Sequence, residues 1–269
     1  MKEIWVPLSG AIAQQKKVET IANNVANANT PGFKRDQLTF REHVTILEKG
    51  NNDIDLPNKA WKPEDFYRSH GAENSHVKVD GKFTNHSQGD LMPTGNPLDI
   101  AIQGKGFIEI LTPNGVRFTR KGILTLSNSG NLVNDQGFPV LAQENPNSKD
   151  QNPVSRVIQA PFQKIKITKK GEIFNGSNLI NTISVVEFKD LSALQKEGNS
   201  MFINPFPKNL QRNLLKSNVM QGFIEQSNVN VVNEMSHLIN ANRSFESIQR
   251  VIKTYDKMSE KSTNEMLRF

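Results

Sequence analysis

The sequence predicts an α+β fold, in which a discontinuous coiled-coil helical domain from both termini carries an inserted, mainly antiparallel β domain. Heptad-like spacing of apolar residues occurs near each end of the 269-residue chain. Period-two alternation with closely spaced turn residues occupies the middle. The predicted segments are an N-terminal helix over 1–33, an irregular arm over 34–85, a β domain over 86–220 and a C-terminal helix over 221–269.

The N-terminal helix is predicted from apolar residues spaced alternately by four and three positions. This spacing is that of the a and d positions of a coiled coil. Because Ala and Val bury little area, we expect the helix to need a partner, either the C-terminal helix of the same chain or a neighbouring molecule. The series is Ile4, Leu8, Ala11, Gln15, Val18, Ala22 and Val25, and only Gln15 in it is polar.

An asparagine-rich segment follows this helix. Pro31 disfavours a helical conformation in the residue before it, and Gly32 permits a turn, so the helix is predicted to end here. Phe33 then begins the arm as an apolar anchor. Three amides share one face of the last two turns and suit contacts between identical helices, where charges would repel. These amides are Asn23, Asn24 and Asn27.

The C-terminal helix repeats the seam pattern of the N-terminal one. Four apolar residues follow each other at sevenfold spacing, and three more lie three residues after the last three of them. The first set is Val231, Leu238, Phe245 and Ile252, and the second is Ala241, Ile248 and Tyr255.

The central β domain is predicted from two series of short alternating segments. The first includes residues 98–103 and 107–111, and the second includes 164–167, 172–174 and 183–188. Turn pairs such as Asn-Gly and Lys-Gly separate them, which is typical of antiparallel strands. The alternating lysines of 164–167 indicate the solvated face of a strand. Residues 48–80 and 144–161 are polar and proline-punctuated, so we expect extended connections there.

Composition excludes several classes of function. The chain has no cysteine, so disulfides, thiolate metal sites and a cysteine nucleophile are absent. The 33 basic and 27 acidic residues are mixed along the sequence, which argues against nucleic-acid binding. No stretch approaches the length of a transmembrane span, and no ordinary secretory signal is present. We therefore expect no membrane insertion, and either residence in the cytoplasm or export without a cleaved signal.

The search for chemistry finds no specific catalytic, cofactor or metal motif. Gly104-Lys105-Gly106 lacks the third glycine of a dinucleotide site and is predicted to be a turn. The spacing of His70, His76 and His86 fits no common zinc pattern, so solvated histidines are expected. Asp90 and Asp99 flank the Asn96-Pro97 turn. They leave open one alternative, a β-domain hydrolase or carbohydrate-binding protein with a helical stalk.

Three segments of the chain, in order, resemble the bacterial flagellar rod and hook protein family. They are SGAIAQQKKVETIANNVANANTPGFKRDQLTF (Ser9 to Phe40), SQGDLMPTGNPLDIAIQGKGFIEI (Ser87 to Ile110) and QGFIEQSNVNVVNEMSHLINANRSFESIQRVIKTYDKM (Gln221 to Met258). GFPVL (Gly137 to Leu141) and GEIFNGSNLINTISVVEF (Gly171 to Phe188) are most similar to proximal rod subunits, with the distal rod protein or another axial protein as the alternative. Lys105, where the family often has an acidic residue, and Ile108, where a second aromatic is usual, depart from its pattern.

The resemblance implies a structural, self-assembling subunit without enzymatic activity or cofactor. It implies export through the flagellar type III apparatus, residence in the basal-body rod that spans the periplasm, and contacts with other copies and other rod proteins. The terminal helices are expected to pack between subunits, with the β domain outside them. The assembly interface expected from the resemblance and the seams comprises Leu8, Ala11, Val18, Ala22, Asn23, Asn24, Val25, Asn27, Pro31, Gly32, Phe33, Val231, Leu238, Ala241, Phe245, Ile248, Ile252 and Tyr255.

Overall fold

The computed structural model of the protein describes residues 5–46, 73–144, 152–160, 165–212 and 216–266. Helix α1 (Trp5–Ala26) lies near the start of the chain and helix α2 (Val231–Met266) near its end. The region between them is mainly antiparallel β structure, so the predicted α+β class is confirmed.

Apart from β1 and β2, the strands are short, as the closely spaced turn residues predict. In chain order they are β1 (Asp36–Ile46), β2 (Glu73–Thr84), β3 (Leu91–Pro93), β4 (Ile100–Gln103), β5 (Phe107–Thr112), β6 (Gly115–Thr119), β7 (Leu124–Leu126), β8 (Leu132–Asn134), β9 (Lys166–Ile167), β10 (Glu172–Asn175), β11 (Asn178–Thr182), β12 (Val185–Phe188), β13 (Gln195–Gly198), β14 (Met201–Ile203), β15 (Leu210–Gln211), β16 (Asn218–Gln221) and β17 (Phe223–Glu225).

The largest sheet among the described residues has six strands in the order β13-β14-β6-β5-β12-β15. Its central hairpin pairs Ile108 of β5 with Thr119 of β6, and β12 pairs antiparallel to the other edge of β5. Late strands also pair with early ones, because β16 lies antiparallel to β4 and β17 antiparallel to β3. The chain therefore closes this β region with residues that come just before helix α2.

The chain divides into two compact units. The helical unit comprises Met1–Asn23, Gln37–Phe83 and Val232–Phe269, and the β unit comprises Asn24–Asp36 and Thr84–Val231. Two apolar clusters fill the β unit. One is rich in Ile and Val from β4, β5, β10 and neighbouring segments, and the other is built around Phe107, Phe118, Phe188 and Phe202.

In the helical unit, α1 and α2 contact each other in antiparallel orientation. The Gln14 Nε2 donates to the carbonyl of Ala241 at 3.3 Å, and a Cβ placed on Gly10 would lie 3.8 Å from Ile248 Cδ1. Advancing along α1 thus corresponds to moving back along α2. The predicted seam residues of α2 after Val231 are buried or half-buried, whereas most other positions of that helix are exposed.

The buried face of α1 differs from the predicted seam. Ala11 is buried as predicted, but Ala22 is exposed and its neighbour Ile21 is buried in its place. Ala13 is also buried. Because Ile21 and Ala22 are both apolar and adjacent, the sequence pattern fixes the seam only to within one residue.

The arm predicted to be irregular over 34–85 contains the paired strands β1 and β2. The Arg41 Nε lies 3.2 Å from Asp80 Oδ1, and the Thr39 hydroxyl donates to the carbonyl of Gly81. The irregular prediction was wrong for these strands because Val77 and Val79 alternate with charged residues, as a strand requires. Most of the predicted connection over 48–80, namely residues 48–72, lies outside the described residues.

Two further boundaries differ from the prediction. Helix α2 begins at Val231 rather than 221, because 218–225 forms strands and Gly222 adopts a φ of +78° that a helix interior excludes. In the predicted connection 144–161, residues 145–151 and 161 lie outside the described residues. A 3₁₀ turn over Pro153–Arg156 is followed there by the fully buried Ile158 and Ala160.

Candidate functional site

The asparagine-rich end of α1 is fixed by a side chain that substitutes for a backbone partner. Asn24 is 1% exposed, and its Nδ2 donates to the carbonyl of Asp36 at 2.8 Å. The Asp36 N–H in turn donates to Asn24 Oδ1 at 2.9 Å. A neutral amide can make both bonds at once, which a carboxylate or ammonium cannot. Asn24 therefore closes the segment Asn24–Asp36 into a loop.

Gly32 occupies the tightest point of this loop. Its φ is +69°, and its N–H donates to the carbonyl of Glu225 at 2.8 Å. A Cβ at this position would lie 2.6 Å from the Lys121 nitrogen and 2.7 Å from the Arg120 carbonyl carbon. Glycine is thus required both by the backbone conformation and by the close approach of another backbone. The following Phe33 is buried, with Lys196 Nζ 3.6 Å from its ring centroid.

A buried ionic group, which we call the Glu225 cluster, consists of Lys34, Arg120 and Glu225. The Lys34 Nζ lies 2.6 Å from Glu225 Oε1, and Arg120 Nη1 lies 3.1 Å from Oε2. The side chains of Lys34 and Glu225 are both 0% exposed. Burial lowers the pKa of the Lys34 amine, and the attraction of Glu225 opposes that shift. Burial likewise lowers the pKa of Arg120, again against the attraction of Glu225.

Main-chain groups of the β unit also bond to the cluster, although the buried Arg120 Nε has no hydrogen-bond partner among the described residues. Lys34 Nζ donates to the carbonyl of Ser87 at 2.7 Å, and the Gly89 N–H donates to Glu225 Oε1 at 2.9 Å. Arg120 Nη2 donates to the carbonyl of Gly104 at 2.7 Å. Donors from three separate parts of the sequence, Lys34, Gly89 and Arg120, thus contact one carboxylate.

A second layer of hydrogen bonds holds the same segments together. The Arg35 N–H donates to Asn228 Oδ1 at 2.8 Å, and Asn228 Nδ2 donates to the carbonyl of Asn85 at 2.9 Å. The Asn85 N–H donates back to the carbonyl of Arg35 at 2.8 Å. Asp36 accepts from the Thr84 hydroxyl and from Lys196 Nζ. The residues after α1 and before α2 are therefore joined within the β unit.

His86 lies beside this network and is a packed residue. Its ring centroid is 5.3 Å from that of Phe202 and 5.9 Å from that of Phe107. Burial, reinforced by the nearby Lys34 and Arg120 charges, lowers its pKa to about 4. The expectation of a solvated side chain was wrong for this histidine. His76 is half-buried and His70 lies outside the described residues, among which no group of three or more metal-ligating side chains occurs.

The other sequence candidates have structural roles. Gly104-Lys105-Gly106 forms the predicted turn between β4 and β5, and the Gly106 N–H donates to the Ser217 hydroxyl at 2.8 Å. The buried Asp99 accepts from Asn96 Nδ2 at 3.1 Å within its own turn, while Asp90 is exposed. The Gly104-Lys105-Gly106 motif and the Asp99 carboxylate therefore each stabilise a local turn.

The predicted interface residues separate into three groups by exposure. Leu8, Ala22, Asn23 and Val231 are exposed; Ala11, Asn24, Gly32, Phe33 and Ala241 are buried; and Val18, Val25, Asn27, Pro31, Leu238, Phe245, Ile248, Ile252 and Tyr255 are intermediate. The structure brings Asn24, Gly32 and Phe33 together in the β unit. Sequence reasoning missed the Glu225 cluster, because single charged residues separated by up to 191 positions carry no pairing signal.

Exposed apolar side chains occur on both helices. On α1, Trp5 is 62% exposed, and Val6, Leu8 and Ile12 are also exposed. On α2 the exposed set is Val231, Val232, Met235, Ile239, Val251 and Met258. These side chains make the two helices the candidate contact surfaces of the chain. Among the described residues, no helix combines the length and apolar character needed to cross a membrane.

Comparison with known families finds three matches along the chain. Residues 6–34 match the model described as flagella basal body rod protein. Residues 101–175 match that of the flagellar hook protein FlgE/F/G D1 domain, and residues 220–266 match that of the flagellar basal body rod FlgEFG protein C-terminal.

Individual relatives match over nearly their whole length. The chain is 31% identical over 276 residues to the flagellar basal-body rod protein FlgG of Buchnera aphidicola subsp. Schizaphis graminum, covering 96% of this chain and 97% of the relative. It is 28% identical to FlgG of Bacillus subtilis, with 98% of each chain covered. It is 29% identical to the flagellar basal-body rod protein FlgF of Caulobacter vibrioides, covering 95% and 94%.

Proposed function

The chain belongs to the flagellar basal-body rod protein family, and we propose that it is a structural subunit of the rod in the basal body. The observation that carries this proposal is the similarity to rod proteins across 96% of the chain. The subunit acts mechanically, as one element of a shaft between motor and hook. We propose the proximal rod type, with the distal rod protein as the alternative, because Gly137 to Leu141 and Gly171 to Phe188 most resemble proximal rod subunits.

Assembly follows from the helices. We propose that α1 and α2 form a discontinuous coiled-coil domain that packs against other copies of this chain and against other rod proteins. Exposed Trp5, Leu8 and Ile12 on α1 and exposed Val232 and Met235 on α2 support this proposal, since water contact with these side chains is unfavourable. Among the predicted interface residues, the exposed Leu8, Ala22, Asn23 and Val231 are those best placed for contact between subunits.

The buried residues of the predicted interface have a different role in this proposal. Asn24, Gly32 and Phe33 hold the last turn of α1 and the loop after it within the β unit, and so define where α1 ends. They affect assembly through the conformation of the subunit rather than through direct contact with a neighbour.

The remaining features of the proposal concern export and chemistry. We propose export through the flagellar type III apparatus without a cleaved signal, as the family resemblance implies. We propose no catalytic role, because Asp99, one of the two carboxylates of the hydrolase alternative, is engaged with Asn96 in its own turn.

Electron microscopy of cells that carry a clean deletion of the gene tests the proposed function. The proposal predicts that hooks and filaments are missing and that a plasmid copy of the gene restores them. Normal flagella in the deletion strain would contradict it. In that case the β unit would have to be tested for carbohydrate binding and hydrolysis.

A further inference from the structure

We propose that Glu225 is the positioning residue that closes the β unit around both chain ends, so that this unit is complete only when the segments after α1 and before α2 are both in place. The inference deepens the proposed function, on which it rests: it identifies what fixes the end of α1 and the start of α2. The Glu225 carboxylate pairs with two cations of the same chain, the Lys34 ammonium and the Arg120 guanidinium.

Several segments of the chain meet at Glu225. The Glu225 carboxylate accepts from Lys34, Arg120 and the Gly89 N–H, and its main-chain carbonyl accepts from the Gly32 N–H. Lys34 and Gly32 belong to the segment that leaves α1, and Glu225 ends the last strand before α2. Glu225 thus holds the first segment with both its side chain and its backbone.

Glu225 supplies the negative charge that faces two cations in a buried site. Lys34, Arg120 and Glu225 are each at most 2% exposed. Without the carboxylate, two cations would remain buried beside each other, with carbonyl oxygens as their remaining acceptors. An uncompensated buried charge is strongly destabilising, whereas removing both partners of a buried pair costs much less. The cluster therefore opposes closure of the loop until the segment that contains Glu225 has docked.

Glu225 lies close to the end of the β region in the sequence. Strand β17 pairs Glu225 with Leu91 of β3, near the start of the β region. The strands between residues 107 and 211 pair among themselves, whereas β3 and β4 pair only with β17 and β16. The loop Asn24–Asp36 has its anchors at 84–89, 120, 196 and 225–228, so its set of contacts is complete only when the end of the β region is present.

Amide hydrogen exchange of the purified full-length protein tests this inference. The variants are Glu225→Gln, Lys34→Met and the double variant with both changes, all at a temperature where each remains folded. Glu225→Gln is expected to accelerate exchange in peptides that cover residues 27–36 by about tenfold or more, while β5 stays protected. The double variant is expected to exchange more slowly there than Glu225→Gln alone, because one of the two uncompensated cations is gone.

Glu109→Gln is the matched control. Glu109 is also fully buried, and it accepts from Arg156, from Arg212 at 2.9 Å and from the Ser184 hydroxyl at 2.7 Å. This network does not include the segment after α1. Glu109→Gln is therefore expected to accelerate exchange around residues 140–144 and 184 and to leave 27–36 unchanged.

Three outcomes would overturn the inference: unchanged exchange at 27–36 in Glu225→Gln, the same acceleration there in Glu109→Gln, or no rescue in the double variant. If Glu225→Gln cannot be isolated folded, a double variant that is equally unrecoverable contradicts the inference. Plasmid complementation of the deletion strain tests the proposed function independently of the role of Glu225. Failure of the wild-type copy to restore flagella refutes the proposed function, whereas unaltered exchange in Glu225→Gln refutes only the role of that residue.

Discussion

The two halves of helix α1 are held by different kinds of interaction. The last turn and the loop that follows are held by hydrogen bonds and ion pairs of the β unit, including those of the buried Asn24 and Lys34. The first half contributes the buried Ala11 and Ala13 but leaves Trp5 and Ile12 largely exposed. Helix α2 is, like that first half, mostly exposed: within the described range its buried residues are Glu234 and Ala241.

This contrast separates what the chain completes by itself from what it leaves for neighbours. Buried polar groups must be satisfied within the fold, and the loop after α1 meets that requirement with partners from distant parts of the same chain. Exposed apolar groups gain stability only when another surface covers them. The β unit is therefore expected to be the stable part of the free subunit, and the helices the part that assembly stabilises.

The largest expected effect comes from substituting Gly32. Gly32→Ala places a Cβ against the backbone of Arg120 and Lys121 at a positive φ, so we expect a loss of about 3–5 kcal/mol in the free energy of unfolding. Urea denaturation measures this loss. Gly95→Ala is the control, since Gly95 has a similar φ of +74° and nothing within 4 Å of the added atom. It should lose about 1 kcal/mol. Equal losses would mean that the close approach does not matter.

A smaller effect is expected at Asn24. Asn24→Ala removes both hydrogen bonds to Asp36 and leaves two buried backbone groups without that partner, so we expect a loss of about 2–3 kcal/mol. Asn23→Ala alters the adjacent, exposed asparagine and should lose clearly less stability than Asn24→Ala. Thermal and urea unfolding of the two variants provide the comparison. A neutral Asn24→Ala would contradict the proposed structural role of this amide.

His86 gives the β unit a dependence on pH. Its folded pKa of about 4 lies below the ordinary value of 6.5, so between these values the unfolded chain binds a proton that the folded chain does not. Stability from this group is complete above pH 6.5 and falls as the pH drops toward 4, by about 2 kcal/mol after allowance for solvent at the partly exposed ring. His86→Phe should remove this part of the pH dependence in urea titrations. An unchanged slope would contradict the assignment.

The smallest effect on stability is expected in the exposed half of α1. Leu8 is 36% exposed, so Leu8→Gln should change the stability of the monomer by less than about 0.5 kcal/mol. Swimming of the complemented deletion strain should nevertheless decrease, because the apolar contact with a neighbour is lost. Unfolding curves measure the stability of the monomer, and soft-agar plates measure the swimming of the strain. A destabilised monomer with normal motility would reverse the proposed division between the two regions.

The sequence predicted the features that local patterns determine. Apolar periodicity located both helices and alternation located the central strands. Pro31-Gly32 predicted a helix end near residue 33, but α1 already ends at Ala26. Periodicity did not distinguish Ile21 from Ala22 on the buried face, because both are apolar and they are adjacent. The residues that close the loop could not be found in this way, since Asn24 pairs with a backbone group 12 positions away and Lys34 with a side chain 191 positions away.

Limited trypsin digestion of the full-length monomer tests the division between the two regions most directly. Lys16 and Lys17 are exposed on α1 and Arg243 is exposed on α2, whereas Lys34 and Asp36 are buried in the β unit. Mass spectrometry and N-terminal sequencing identify the bonds that are cut. The account predicts early cleavage after Lys16, Lys17 and Arg243, with the bonds after Lys34 and Arg35 intact. Cleavage after Lys34 or Arg35 as fast as after Lys17 would contradict it.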